Sequence, residues 1–167
     1  MIGRHGDRGK KLLRVSVSPF LNCSAYPIFQ RSIIPTFQRR LTMYEITVTS
    51  HFSGAHRLRY LHGKCEELHG NNWKVEVSVV SNRLSREGIV IDFGILKQKV
   101  EKVLKALDHT YLNDLPYFSG IEPSSENIAK YIFDRLKSEL KGHRGNLEKV
   151  TAWESETSRA TYFGRSS

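Results

Sequence analysis

From Met43 onward the chain switches between two hydrophobic periods. Tyr44 to Leu58 reads as a long strand, with Ile46 and Val48 on alternating positions. Trp73, Val75, Val77 and Val79 share one face of a second strand, and Lys74, Glu76 and Ser78 the other. That two-residue period belongs to a half-buried strand. Asn82 to Gly88 is a turn region, and Ile89 to Ile91 reads as a short strand pairing back as a hairpin. Leu96, Val100, Val103, Leu104 and Leu107 then fall at helical spacing, which predicts a helix capped by Asp92 and closed at Asp108-His109. Pro116, Gly120 and Pro123 interrupt the pattern. Ser124 caps a second predicted helix, with Glu126 in its first turn and Ile128, Ile132, Leu136 and Leu140 on one face. Gly142, Gly145 and Asn146 end it, and Leu147–Trp153 and Arg159–Phe163 read as a closing hairpin. Sequential strands with short turns imply antiparallel pairing, and helices grouped in one block imply that they cover one sheet face. The expected class is α+β.

Residues 1–42 look different. They contain Pro19, Pro27 and Pro35 and sustain neither period. They carry eight basic residues against Asp7 alone, whereas 43–167 carries 18 basic and 16 acidic residues. The formal charge of +9 therefore belongs mainly to this leader. The folding domain, 43–167, is close to neutral, which argues against a nucleic-acid partner. Three readings fit the leader: a misassigned start upstream of Met43, a disordered basic arm, and an Arg-rich targeting peptide. No apolar run approaches the roughly 20 residues of a membrane helix. The two cysteines, Cys23 and Cys65, make no disulfide framework, so a reduced, cytosolic setting is the simpler reading.

The chemistry concentrates in SGAHRLRYLHGKCEELHGNNW, residues 53–73. His56 and His69 flank Cys65 there. Neutral imidazole ligates zinc well, and catalytic zinc commonly has three protein ligands plus water. A lone strand histidine is more often structural. Cys65 lies among Lys64, Glu66 and Glu67. Beside a metal or an imidazolium its thiolate would move protons; otherwise it is a small buried hydrophobe. Asp108-His109 is either a carboxylate orienting an imidazole or a charged helix end. Glu154, after Val150 and Trp153, is either a solvated strand end or a carboxylate accepting two hydrogen bonds from an amidine-like ring edge.

Six blocks in order, FSGAHRL (52–58), CEELHGNNW (65–73), IDFGILK (91–97), LDHTYLN (107–113), PSSENIA (123–129) and VTAWESETSRATY (150–162), resemble the family of 6-pyruvoyltetrahydropterin synthase and 6-carboxytetrahydropterin synthase. The resemblance implies the tunnelling fold: an antiparallel four-stranded sheet with two helices on one face. It implies a homo-oligomer, a hexamer, with active sites between subunits. Zinc would be the cofactor, held by His56 and His69. Cys65 would be the proton-transferring thiol, Asp108 and His109 the acid/base dyad, and Glu154 the anchor of the pterin ring. The implied substrate is 7,8-dihydroneopterin triphosphate, handled by a cytoplasmic enzyme with no membrane partner. The spacing Cys65-x-x-x-His69 resembles the carboxy branch, which makes 6-carboxytetrahydropterin for queuosine synthesis. The pyruvoyl enzyme and a non-catalytic pterin-binding homologue are the alternatives.

One position departs from the pattern. The family's His-Gly-His reads His69-Gly70-Asn71 here, so the third ligand position holds an amide, a weaker donor to zinc than imidazole. Four arrangements follow. Asn71 ligates through its oxygen, water fills the gap, His62 swings in, or Cys65 is recruited. Lys64, Arg57 and Arg59 are the candidates for gripping the triphosphate.

Overall fold

The computed structural model describes residues 43–60 and 67–164. The leader 1–42, with its three readings, lies outside the described residues, as do His62, Lys64 and Cys65. Two long strands, β1 (Tyr44–His56) and β2 (His69–Ser81), pair antiparallel along their full length. Their register runs from Tyr44 opposite Ser81 to His56 opposite His69. Alternation turns Val48, Phe52, Trp73, Val75 and Val77 inward, where all are buried. β3 (Thr110–Tyr111) runs parallel to β1. β4 (Asn146–Trp153) pairs with the other edge of β2, and β5 (Arg159–Phe163) closes the sheet. The order is β3-β1-β2-β4-β5.

Two helices cover one face. α1 (Phe93–Leu104) starts at Asp92, whose carboxylate accepts from Ile95 N at 3.0 Å. α2 (Ser125–Glu139) starts at Ser124, whose hydroxyl accepts from Asn127 N at 3.4 Å. Such caps satisfy backbone donors that no earlier turn can reach. Leu96, Val100, Ile128, Ile132 and Leu136 are fully buried against Val75, Val77 and Val150 of the sheet. No helix among the described residues is long and apolar enough to cross a membrane.

The architecture is the expected α+β class with two helices on the sheet, but the sheet is mixed and five-stranded rather than antiparallel and four-stranded. The added strand has only two residues and forms where His109 N donates to Ser53 O at 2.6 Å. Ile89–Ile91 is not a strand. β1 and β4 take both edges of β2, so the expected hairpin back onto β2 does not form. Instead Ser85 N bonds Ile89 O at 2.8 Å, and Val90 and Ile91 pack into the core. β2 also begins earlier than the Trp73 start its alternation predicts, so His69 opens a strand rather than sitting in a loop. The helix expected to run to Asp108-His109 ends at Leu104, and turns carry the chain on to β3.

Candidate metal centre

The β1–β2 register places the site. Pairing His56 with His69 at the shared end of two strands brings their rings to 4.5 Å between centroids. His56 is 1% exposed and meets Trp73 edge-on at 5.2 Å. His56 Nδ1 donates to the Pro123 carbonyl at 2.7 Å, just before α2. His69 Nδ1 donates to the Glu67 carbonyl at 2.8 Å. A carbonyl oxygen only accepts, so both Nδ1 atoms carry hydrogen, and the neutral form of either ring presents an Nε2 lone pair.

Those lone pairs face a carboxylate. β4 pairs Lys74 with Trp153, and the next residue, Glu154, arrives beside the start of β2. Glu154 Oε1 lies 3.6 Å from His56 Nε2 and 3.8 Å from His69 Nε2. Its Oε2 accepts from Ser125 Oγ at 2.9 Å. Ligand atoms of all three residues lie within 4.8 Å of one another. Asn71, two residues along β2 from His69, directs Nδ2 to His56 Nε2 at 3.2 Å and to Glu154 Oε1 at 3.5 Å.

Three electron-rich atoms converging on one point make a pocket that attracts a cation. Two imidazoles and a carboxylate are donors that zinc accepts, and three protein ligands leave a position open. Each donor is oriented by a further group: Pro123 O, Glu67 O and Ser125 Oγ. The cluster is therefore capable of coordinating a divalent metal ion. Burial, the largest influence, holds the His56 pKa below its ordinary value. The Pro123 carbonyl opposes this, His69 reinforces it, and Glu154 opposes it. The neutral ring is the form that binds metal.

The Asp108-His109 dyad is formed but stands apart. His109 Nδ1 donates to Asp108 Oδ2 at 2.9 Å, and Asp108 Oδ1 accepts from Ser53 N at 2.9 Å. His109 has a φ of 55°, which turns the chain sharply into β3. Its side chain is 81% exposed. No hydrogen bond or ion pair among the described residues joins the dyad to the metal cluster. A hollow of about 440 Å³ is bordered by Ser53–Ala55, Gly70–Asn72 and His109–Tyr111, so His109 and Asn71 both line it. The Ser53 N–H bond, then His109, lowers the Asp108 pKa.

Of the expected site residues, His56, His69, Asn71 and Glu154 meet in one cluster. Asp108 and His109 form a second group. Cys65 lies outside the described residues. Glu154, read in the sequence as a ring anchor, faces the two histidines. Ser125 and Pro123 were not singled out as site residues, because bonds to a side chain 29 or 67 residues away leave no local trace. Arg59, a candidate for gripping the triphosphate, is bound to the segment before α2. Its backbone N and Nε bond the Glu122 carboxylate at 2.8 and 2.9 Å, and Nη2 bonds the Phe118 and Ile121 carbonyls, each at 3.2 Å. It ties the exit of β1 to the segment that delivers Pro123.

The pattern of the family described as 6-pyruvoyl tetrahydropterin synthase matches residues 45–165. The chain is 43% identical over 118 residues to 6-carboxy-5,6,7,8-tetrahydropterin synthase of Synechocystis, covering 67% of this chain and 87% of that one. It is 35% identical over 127 residues to human 6-pyruvoyl tetrahydrobiopterin synthase, covering 68% and 86%. The solved structure of Caenorhabditis elegans 6-pyruvoyl tetrahydropterin synthase superposes with a TM-score of 0.65 at 31% identity, covering 73% of this chain and 96% of that one.

Proposed function

Because the chain belongs to the 6-pyruvoyl tetrahydropterin synthase family, we propose that it is a carboxy-forming member. It would convert 7,8-dihydroneopterin triphosphate and one water to 6-carboxytetrahydropterin, acetaldehyde and triphosphate, toward queuosine. The observation that carries a pterin-processing enzyme is the convergence of two imidazole lone pairs and one carboxylate on a single point. The carboxy-forming reaction is favoured by the Cys65-to-His69 spacing and by the Synechocystis relative's name.

His56, His69 and Glu154 would hold zinc, which when bound supplies Lewis-acid polarisation of the substrate's side-chain oxygens. Asp108 accepts the Nδ1 hydrogen of His109, and this leaves His109 Nε2 as a proton acceptor at an exposed position. Cys65 would take the side-chain proton whose removal permits tautomerisation and loss of triphosphate. Burial around His56 limits water at one end of the site. Among the described residues no bond joins the dyad to its own cluster; in the proposed homo-oligomer, a hexamer, it would serve the cluster of a neighbouring copy.

Incubating the full chain with zinc and 7,8-dihydroneopterin triphosphate, and weighing the pterin product, tests this reading. A 6-carboxy product with acetaldehyde is expected. A 6-pyruvoyl product would assign the other branch. Bound but unchanged substrate would make the chain a pterin-binding module.

A further inference from the structure

We propose that Asn71 is a built-in competitor for the metal: a hydrogen-bond donor that holds the ligand set together without an ion and must release it on loading. The proposal rests on His56, His69 and Glu154 being the ligands.

The Pro123 carbonyl oxygen can only accept from His56 Nδ1, so His56 Nε2 is a lone pair. The Asn71 atom 3.2 Å from that lone pair is therefore the donor, Nδ2. The same Nδ2 lies 3.5 Å from Glu154 Oε1. One amide thus supplies hydrogen to two of the three ligand atoms. An imidazole nitrogen has one lone pair, and while it accepts an N–H it is closed to a cation. Loading breaks the Asn71–His56 bond.

The sheet holds this arrangement in place. Asn71 pairs with Gly54 across β1 and β2. The amide oxygen reaches the metal position only if the group turns over and gives up both donated bonds. A third imidazole at this position would add a ligand; the amide subtracts one. The consequence is a site that stays ordered without metal and holds a divalent ion reversibly.

Zinc titration of the full chain against a chromophoric chelator, with thermal melts of metal-free and loaded protein, decides the matter. Asn71→Ala is expected to bind zinc about five- to tenfold more tightly, since loading no longer breaks one hydrogen bond. Its metal-free form is expected to melt below the metal-free parent. Equal or weaker zinc binding by Asn71→Ala overturns the proposal, and weaker binding with unchanged metal-free melting makes Asn71 a ligand. Asn71→Val, a better strand former without a donor, repeats the affinity comparison should the alanine variant fold poorly. Glu154→Gln separates the two levels. If it binds zinc like the parent, the ligand assignment itself fails. If it loses zinc while Asn71→Ala also weakens, only the competitor role fails.

Discussion

Ser125→Ala isolates one bond that orients the metal cluster. Ser125 Oγ donates to Glu154 Oε2 at 2.9 Å, while Glu154 turns Oε1 toward both histidines. Removing the hydroxyl frees the carboxylate to rotate away from the ion's position. Hydrogen bonds to charged groups contribute about 1.5–3 kcal/mol. Glu154 is one-third exposed, so water replaces part of the loss and the lower end applies, about 1.5 kcal/mol. That is close to tenfold in affinity, the lower edge of the roughly 10–100-fold range for partners behind metal ligands. The helix should be unharmed. Ser124, not Ser125, accepts the capping bond, and alanine is the best helix former. Equilibrium competition with a zinc chelator reads the affinity, and far-ultraviolet circular dichroism confirms the helix. Zinc affinity within twofold of the parent, with the helix intact, would refute the claim that Ser125 aims Glu154 at the metal.

Three further outcomes follow from other contacts. Arg59→Ala removes three side-chain hydrogen bonds and leaves Glu122 only its bond from the residue-59 backbone N–H, so urea unfolding should show a loss of roughly 1–3 kcal/mol. Gly145→Ala places a Cβ 2.7 Å from Val79 Cγ1 at a φ of 89°, and the same assay should show a loss of roughly 1–3 kcal/mol. Asp108 has its pKa lowered in the folded state, so it contributes stability above its unfolded pKa and loses it as pH falls through the folded one. Melting temperature against pH should therefore fall less steeply in acid for Asp108→Asn than for the parent, and identical curves would contradict the sign.

Periodicity carried most of the architecture. The inward residues of β1 and β2, the apolar stripes of both helices and the caps Asp92 and Ser124 were all visible as spacing. What escaped were elements whose cause is not local. β3 exists because one turn at His109 lays two residues beside β1. Ile89–Ile91 has strand-like residues, but both edges of β2, its expected hairpin partner, are taken. The first turn of β2, His69-Gly70-Asn71-Asn72, has poor strand formers, and full-length pairing with β1 overrides that preference. In the site, His56 and His69 were legible because their residue type announces their chemistry. Glu154 was legible as important but not in its placement, since only the β2–β4 register brings it to the histidines. Asn71 was readable as a departure, yet its donor role depends on the His56 tautomer, which a carbonyl 67 residues away determines.

The most direct test of the central claim is a crystal structure of the zinc-saturated full chain with anomalous data at the zinc edge. The account predicts one strong peak per chain, roughly 2.0–2.2 Å from His56 Nε2, His69 Nε2 and a Glu154 carboxylate oxygen, with Asn71 Nδ2 withdrawn from His56. A peak held by other residues, or none at saturating zinc, would contradict it.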